Sequence, residues 1–160
     1  MPIREKISSI KQAIVYLGES ETRKLIAILT TGVLAFDKPK ELIRVAIWRA
    51  RFCEILISSV DHKQAESAFL TGLFSLLDAV LDQPMDVILD QLPLSKDIEA
   101  ALRGTKDTPI TIVLRAVKLY ESGSWYNTTR GANKLGISYE AMADAYSHAL
   151  DWVEAYDKNE

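Results

Sequence analysis

Apolar residues recur every three to four positions along nearly the whole chain, the spacing of a buried helix face, and no run shows the two-residue alternation of a strand. Ile7, Ile10, Ile14 and Leu17 line one face of a first helix, which Gly18 ends. Ser20 is placed to cap a second, running through Leu25, Ile28 and Leu29 toward Leu34. Asp37-Lys38-Pro39 opens a long helix that continues to Ser58, with Pro39 in the first turn, where its missing N–H costs nothing. Asp61 or His62 starts the next helix, which contains the nearly all-apolar stretch AFLTGLFSLLDAVLDQP from Ala68 to Pro84. Pro84 begins a shorter one and Pro93 ends it. Ser95 caps Asp97–Leu102, closed by Gly104, and Thr108-Pro109 starts Ile110–Tyr120, broken by Gly123. Thr128–Leu135 and Ser138–Tyr156 follow, and the tail from Asp157 to Glu160 is read as frayed. The pattern predicts one compact all-α domain over residues 1–160, of about eight or nine helices joined by short loops.

Two of these helices carry polar groups on the wrong face. On a wheel of about 100° per residue, Lys40, Arg44, Arg51, Glu54 and Ser58 share a face expected to be solvated. Arg49 lies opposite, among Leu42, Val45, Ala46, Cys53 and Leu56. A guanidinium there is costly unless it is paired or reaches a rim. It is read either as a structural strut or as half of a buried ion pair at a functional interface. In the next helix Gln64, Ser67, Thr71, Ser75, Asp78 and Asp82 form a polar stripe. Glu66 falls outside it, beside Phe69, Leu70 and Leu73, and is the first candidate partner for Arg49, with Asp78 the second. Ser67, Thr71, Ser75 and Asp78 are either a solvated face or the rim of a small-molecule pocket. Gly72 is read as permitting a close helix crossing.

Composition narrows the chemistry. Hydrophobic residues make up 48% and charged residues 26%, the balance of an ordinary globular domain. Net charge is −3 with no cluster of Lys and Arg, so nothing points to nucleic acid or an anionic membrane surface. The single cysteine, Cys53, excludes an internal disulfide and fits a reducing cytoplasm; on an apolar helix face it is read as an inert core thiol. Neither an apolar run long enough to span a membrane nor a signal-peptide block is present. The only histidines, His62 and His148, stand in no ligand-spaced cluster and are read as structural. A glycine-rich phosphate loop and a nucleophile elbow are both missing.

The blocks ISSIKQAIVYLGE, KPKELIRVAIWRARFCEIL, SAFLTGLFSLLDAVLDQPMDVILDQLPLSKDIEAALRG and LYESGSWY, in this order, resemble the HDOD domain over nearly the whole chain. More narrowly they resemble the form that follows an EAL domain in bacterial signalling proteins of the YuxH type. The family is related to the HD metal phosphohydrolases, in which a segment like AFL-x-GLLHDIG supplies a His and an Asp to the metal. In that alignment Ser75 stands at the His position and Leu76 at the Asp position. Leucine cannot ligate, and a neutral hydroxyl is a poor substitute for imidazole. The resemblance thus implies a domain without metal, cofactor or catalysis. It also implies helices ahead of ISSI and an EAL region that this sequence does not contain. The expectation is either a fragment of a longer protein or a naturally short chain, a fragment being expected to expose apolar surface and to self-associate.

Near the C-terminus, TRGANKLGISYEAMADAY has the rhythm of a helix-turn-helix. Its second helix, however, offers Glu140, Asp144, Asp151 and Glu154, which phosphates would repel. Trp125 and Tyr126 follow Ser122-Gly123-Ser124 and are read as loop aromatics open to a partner. The leading expectation is a non-catalytic module that works through protein contacts, beside or within a protein whose EAL part handles cyclic di-GMP. Arg49 with Glu66 or Asp78 would be its orienting ion pair, and Arg44, Arg51, Trp125 and Tyr126 its contact surface. A receptor for a nucleotide or other small ligand near Ser75 and Asp78 is the alternative, and a helix-turn-helix regulator of DNA the third reading.

Overall fold

The computed structural model describes residues 18–158, and all regular structure among them is helical. The helices are α1 (Glu19–Leu34), α2 (Lys40–Ser58), α3 (Ala65–Phe74), α4 (Leu77–Leu81), α5 (Met85–Leu89), α6 (Lys96–Arg103), α7 (Pro109–Glu121), α8 (Trp125–Asn133) and α9 (Tyr139–Asp157), with a short 3-10 turn at His62–Gln64. The all-α expectation holds. The predicted face of Ile7, Ile10, Ile14 and Leu17 lies outside the described residues, as do the side chains of Leu25 and Leu29.

Side-chain caps set several of the boundaries. Thr108 Oγ1 accepts from the Thr111 N–H at 3.3 Å, with Pro109 as the first helical residue of α7. Ser138 Oγ accepts from the Ala141 N–H at 3.1 Å at the start of α9. Gly104 closes α6 with φ 67°, a left-handed conformation that suits glycine. Three details differ from expectation. Gly18, not Ser20, is the N-cap of α1, because the helix begins two residues too early for the serine hydroxyl to serve. Asp157 belongs to α9 and is held by Arg44 at 3.0 Å, so the helix continues into the tail. Trp125 and Tyr126 form the first turn of α8 rather than a loop.

Helix α2 is the axis. It buries Ala46, Ile47, Trp48, Ala50, Phe52, Cys53, Leu56 and Ile57. Helix α3 packs on it with Ala68, Phe69 and Leu73, and α7 with Val113, Leu114 and Val117. Helix α9 adds Met142, Ala145, Ala149 and Val153, whose helical spacing keeps one stripe on the core. The α2–α3 crossing is the tightest contact. A Cβ on Gly72 would lie 2.6 Å from the Arg49 carbonyl oxygen and 2.7 Å from Ala50 Cα. Only glycine lets the two backbones approach this closely.

The long helix expected from residue 61 or 62 to 82 is broken. A 3-10 turn precedes α3, and the chain bends at Ser75 and Leu76 before α4 begins. Ser75 Oγ donates to the Gly72 carbonyl at 2.6 Å, an alternative to the next backbone bond that favours helix termination. Asp82 then ends α4 in the left-handed conformation, φ 52°. The apolar periodicity carries across the break, so the sequence pattern does not reveal it.

Gly72→Ala is expected to destabilise by ~1–3 kcal/mol through backbone overpacking, lowering Tm by roughly 2–10 °C. Gly131, within α8, has nothing within 4 Å of an added Cβ. Gly131→Ala should therefore stabilise, by up to ~1 kcal/mol from helix propensity. Thermal denaturation of the two variants side by side checks both signs.

Candidate functional site

Arg49 projects from the core face of α2 and is 6% exposed. Its Nη2 donates to Glu121 Oε2 at 2.8 Å and to Oε1 at 3.1 Å, and its Nε reaches Oε2 at 3.2 Å. The remaining arm, Nη1, donates to Ser75 Oγ at 2.9 Å. Glu121 is the last residue of α7 and Ser75 immediately follows α3. The guanidinium therefore sits where the C-terminal ends of two helices converge. Those ends carry the negative pole of the helix dipole and favour a cation, as does the Glu121 carboxylate.

This arrangement resolves the Arg49 question and corrects the partner. The pair is Arg49–Glu121; neither Glu66 nor Asp78 takes part. Glu66 projects from the first turn of α3 toward α1, where Arg23 donates to it at 3.3 Å. Asp78 is exposed and accepts from the adjacent Ala79 N–H at 2.9 Å. The sequence could not place Glu121, because it lies 72 positions from Arg49 and reads as the polar end of an amphipathic helix.

The stripe of Ser67, Thr71, Ser75 and Asp78 is not a single solvated face. The bend at Ser75 splits it. Thr71 is fully buried, its hydroxyl donating to the Ser67 carbonyl at 2.7 Å, and Ser75 is 5% exposed. Only Asp78 is exposed, and Ser67 is half-buried. The outer face of α2 also differs. Glu54 is buried and binds both Lys24 of α1 and Arg51, the latter at 2.6 Å. Arg51 is half-buried, with its guanidinium 5.6 Å from the Trp152 ring centroid, and is committed to this contact rather than offered to a partner. Arg44 stays exposed and pairs with Asp157. Trp125 and Tyr126 are exposed as expected, at 51% and 77%.

Two other groups respond to Arg49. Burial pushes the Cys53 thiol up to about 12, against a smaller opposing pull from Arg49 and Lys118. Partial desolvation, reinforced by Arg49, holds the Lys118 ammonium below the usual lysine range. The thiol is thus protonated near neutrality and unreactive, as a core cysteine should be.

The donor set around Ser75 does not fit a metal ion. The Ser75 hydroxyl proton goes to Gly72 and its oxygen accepts from Arg49, so an adjacent cation would meet a guanidinium. Leu76 supplies no donor. Among the described residues no three His, Cys, Asp or Glu side chains converge as ligands would.

Glu121→Ala leaves the guanidinium with Ser75 as its remaining partner and is expected to cost ~1–3 kcal/mol. That lies below the ~3–5 kcal/mol of a fully buried pair because Glu121 is 36% exposed. Arg49→Met combined with Glu121→Ala should cost less than the sum of the single variants, a double-mutant cycle measurable by urea denaturation. Cys53 in the folded chain should react with a disulfide reagent at pH 8 at least ~100-fold more slowly than a free thiol. The full rate should return in denaturant.

Comparison with known proteins places this geometry in a family. The HDOD domain family is matched over residues 2–81. A Vibrio cholerae protein named cyclic di-GMP phosphodiesterase CdgJ is 33% identical over 153 residues, covering 95% of this chain and 35% of its own length. YuxH of Bacillus subtilis is also 33% identical over 153 residues, covering 94% of this chain and 37% of its own. The chain thus spans little more than a third of the length of these relatives. No solved structure matches. The helical architecture, the family match and both relatives agree: this chain belongs to the HDOD domain family.

Proposed function

We propose that this chain is a non-catalytic signalling module that acts through protein contacts in cyclic di-GMP signalling, in the cytoplasm, with an EAL domain as its partner. The observation that carries this reading is the Arg49–Ser75 hydrogen bond. At the position that the family resemblance equates with a metal-binding His, a hydroxyl is engaged by a fixed guanidinium. A guanidinium is donor-only and has no coordination position with which to activate water. The similarity to a protein named as a cyclic di-GMP phosphodiesterase supports the pathway.

Protein contact is supported by apolar surface at the C-terminal end of α1. Val33 is 75% exposed, Leu34 46%, and Phe36, just beyond the helix, 92%. Large exposed apolar side chains gathered at one place favour an interface. The other two readings have weaker support. A nucleotide site around Thr71 and Ser75 would find both hydroxyls already bound to backbone carbonyls. DNA reading by α9 would present Glu140, Asp144, Asp151 and Glu154, all exposed and acidic, to phosphates.

With Mn2+ or Mg2+ the purified chain is expected to cleave neither cyclic di-GMP nor bis(p-nitrophenyl) phosphate above the buffer rate. Cleavage that EDTA abolishes would overturn the reading. In the positive arm, an EAL domain assayed with the chain present should change its phosphodiesterase rate by about twofold or more, the scale of a modest coupling energy. Phe36→Asp should remove that change while leaving Tm nearly unaltered, as expected for an exposed position.

A further inference from the structure

A cavity of about 520 Å3 opens beside the Arg49–Glu121 pair, between the N-terminal half of α2, the α7–α8 elbow and α9. The elbow exists because Gly123 takes φ 76° while the Ser124 N–H turns back onto the Leu119 carbonyl at 2.9 Å. This turn brings the first residue of α8, Trp125, against Tyr120, with ring centroids 5.0 Å apart and planes nearly perpendicular. Tyr120 in turn meets Tyr146 of α9 at 5.1 Å, and Tyr146 meets Trp48 of α2 at 5.5 Å. Four aromatic rings from four helices thus line one space.

The charges around it are asymmetric. Glu41 and Glu121 line the cavity on one side. Among the described residues Arg44 is its only lining guanidinium, and it is committed to Asp157 at 3.0 Å. Glu121 is neutralised by Arg49 from behind, whereas Glu41 is exposed and has no ion-pair partner among the described residues. A phosphate or carboxylate entering here would face two carboxylates and gain no uncommitted cation. A cation would meet aromatic faces, whose quadrupole attracts positive charge, together with the free Glu41 carboxylate. Trp48, 7% exposed, contributes its ring to the lining, and its Nε1–H is buried with no acceptor among the described residues.

We infer that this cavity binds a small organic cation, a quaternary ammonium or guanidinium head on an apolar body. Such a head can belong to a free metabolite or to a side chain of a partner protein. The site is separate from the Ser67–Asp78 segment and does not depend on the chain being catalytically silent.

The test titrates the full chain with tetraethylammonium chloride and, separately, with acetyl-Gly-Arg-Gly-amide, against NaCl at matched ionic strength. Indole N–H resonances report by 15N NMR. Trp48 and Trp125 should shift saturably, whereas Trp152, which packs instead against Phe69, should not. Trp125→Ala and Glu41→Gln, at exposed positions that leave the core intact, should each weaken binding about 3- to 10-fold. Tighter binding of the peptide assigns the site to a protein partner, and tighter binding of tetraethylammonium to a small molecule. The inference is overturned if neither cation gives saturable shifts, or if both variants bind unchanged. It is also overturned if disodium GMP moves the same indoles at lower concentration than either cation.

Discussion

The interaction on which the helix arrangement depends is the guanidinium of Arg49, held between the ends of α3 and α7. A buried cation is tolerated only when its hydrogen-bonding arms are occupied and the surrounding field is negative. Both conditions are met by geometry rather than by a cluster of acids. Glu121 receives one side of the guanidinium, Ser75 receives the other, and two helix C-termini supply partial negative charge. Ser75 can reach Arg49 because α3 crosses α2 at Gly72, where a side chain would collide with the Arg49 backbone itself. The glycine, the serine and the arginine are therefore one device. Gly72 sets the distance between the helices, Ser75 ends α3 at the correct height, and Arg49 reads both.

A second set of charges does a different task at the other end of α2. Glu54 is buried against Lys24, whose ammonium also lies 5.4 Å from the Phe69 ring centroid, and Arg51 covers Trp152. Arg23 spans Glu19 and Glu66. These contacts join α1 to α2 and α3. Ion pairs of this kind add little net stability, because desolvation offsets most of the attraction. They do penalise misregistered docking, since a shifted α1 would carry Lys24 away from Glu54 and leave Glu54 with Arg51 of its own helix alone.

The sequence disclosed the helical class, most helix starts and the misfit of Arg49. Thr108-Pro109, Ser138 and Gly104 act as their local chemistry predicts, because capping involves residues adjacent in the chain. Gly72 was also legible, since a glycine within an apolar helix has few other uses. What could not be read was set by tertiary contact. A helical wheel shows that Glu66 is out of place but not that α1 lies over it, so its partner Arg23 stays invisible. The Ser75 break is hidden because apolar spacing continues through it. The aromatic cavity draws one ring from each of four helices, and only Tyr120 and Trp125 are near neighbours in the sequence.

The electrostatics of the α3–α7 junction favour a cation there whatever its nature. A bound metal ion is one way to satisfy such a field. Here the requirement is met by a cation covalently tied to α2. The difference matters physically. A metal ion can be gained or lost and can hold a water molecule, whereas Arg49 moves only as α2 moves. Any change in the relative position of α2 and α7 must stretch the Arg49–Glu121 contact, and any change between α2 and α3 must stretch Arg49–Ser75. One side chain thus ties three helices together.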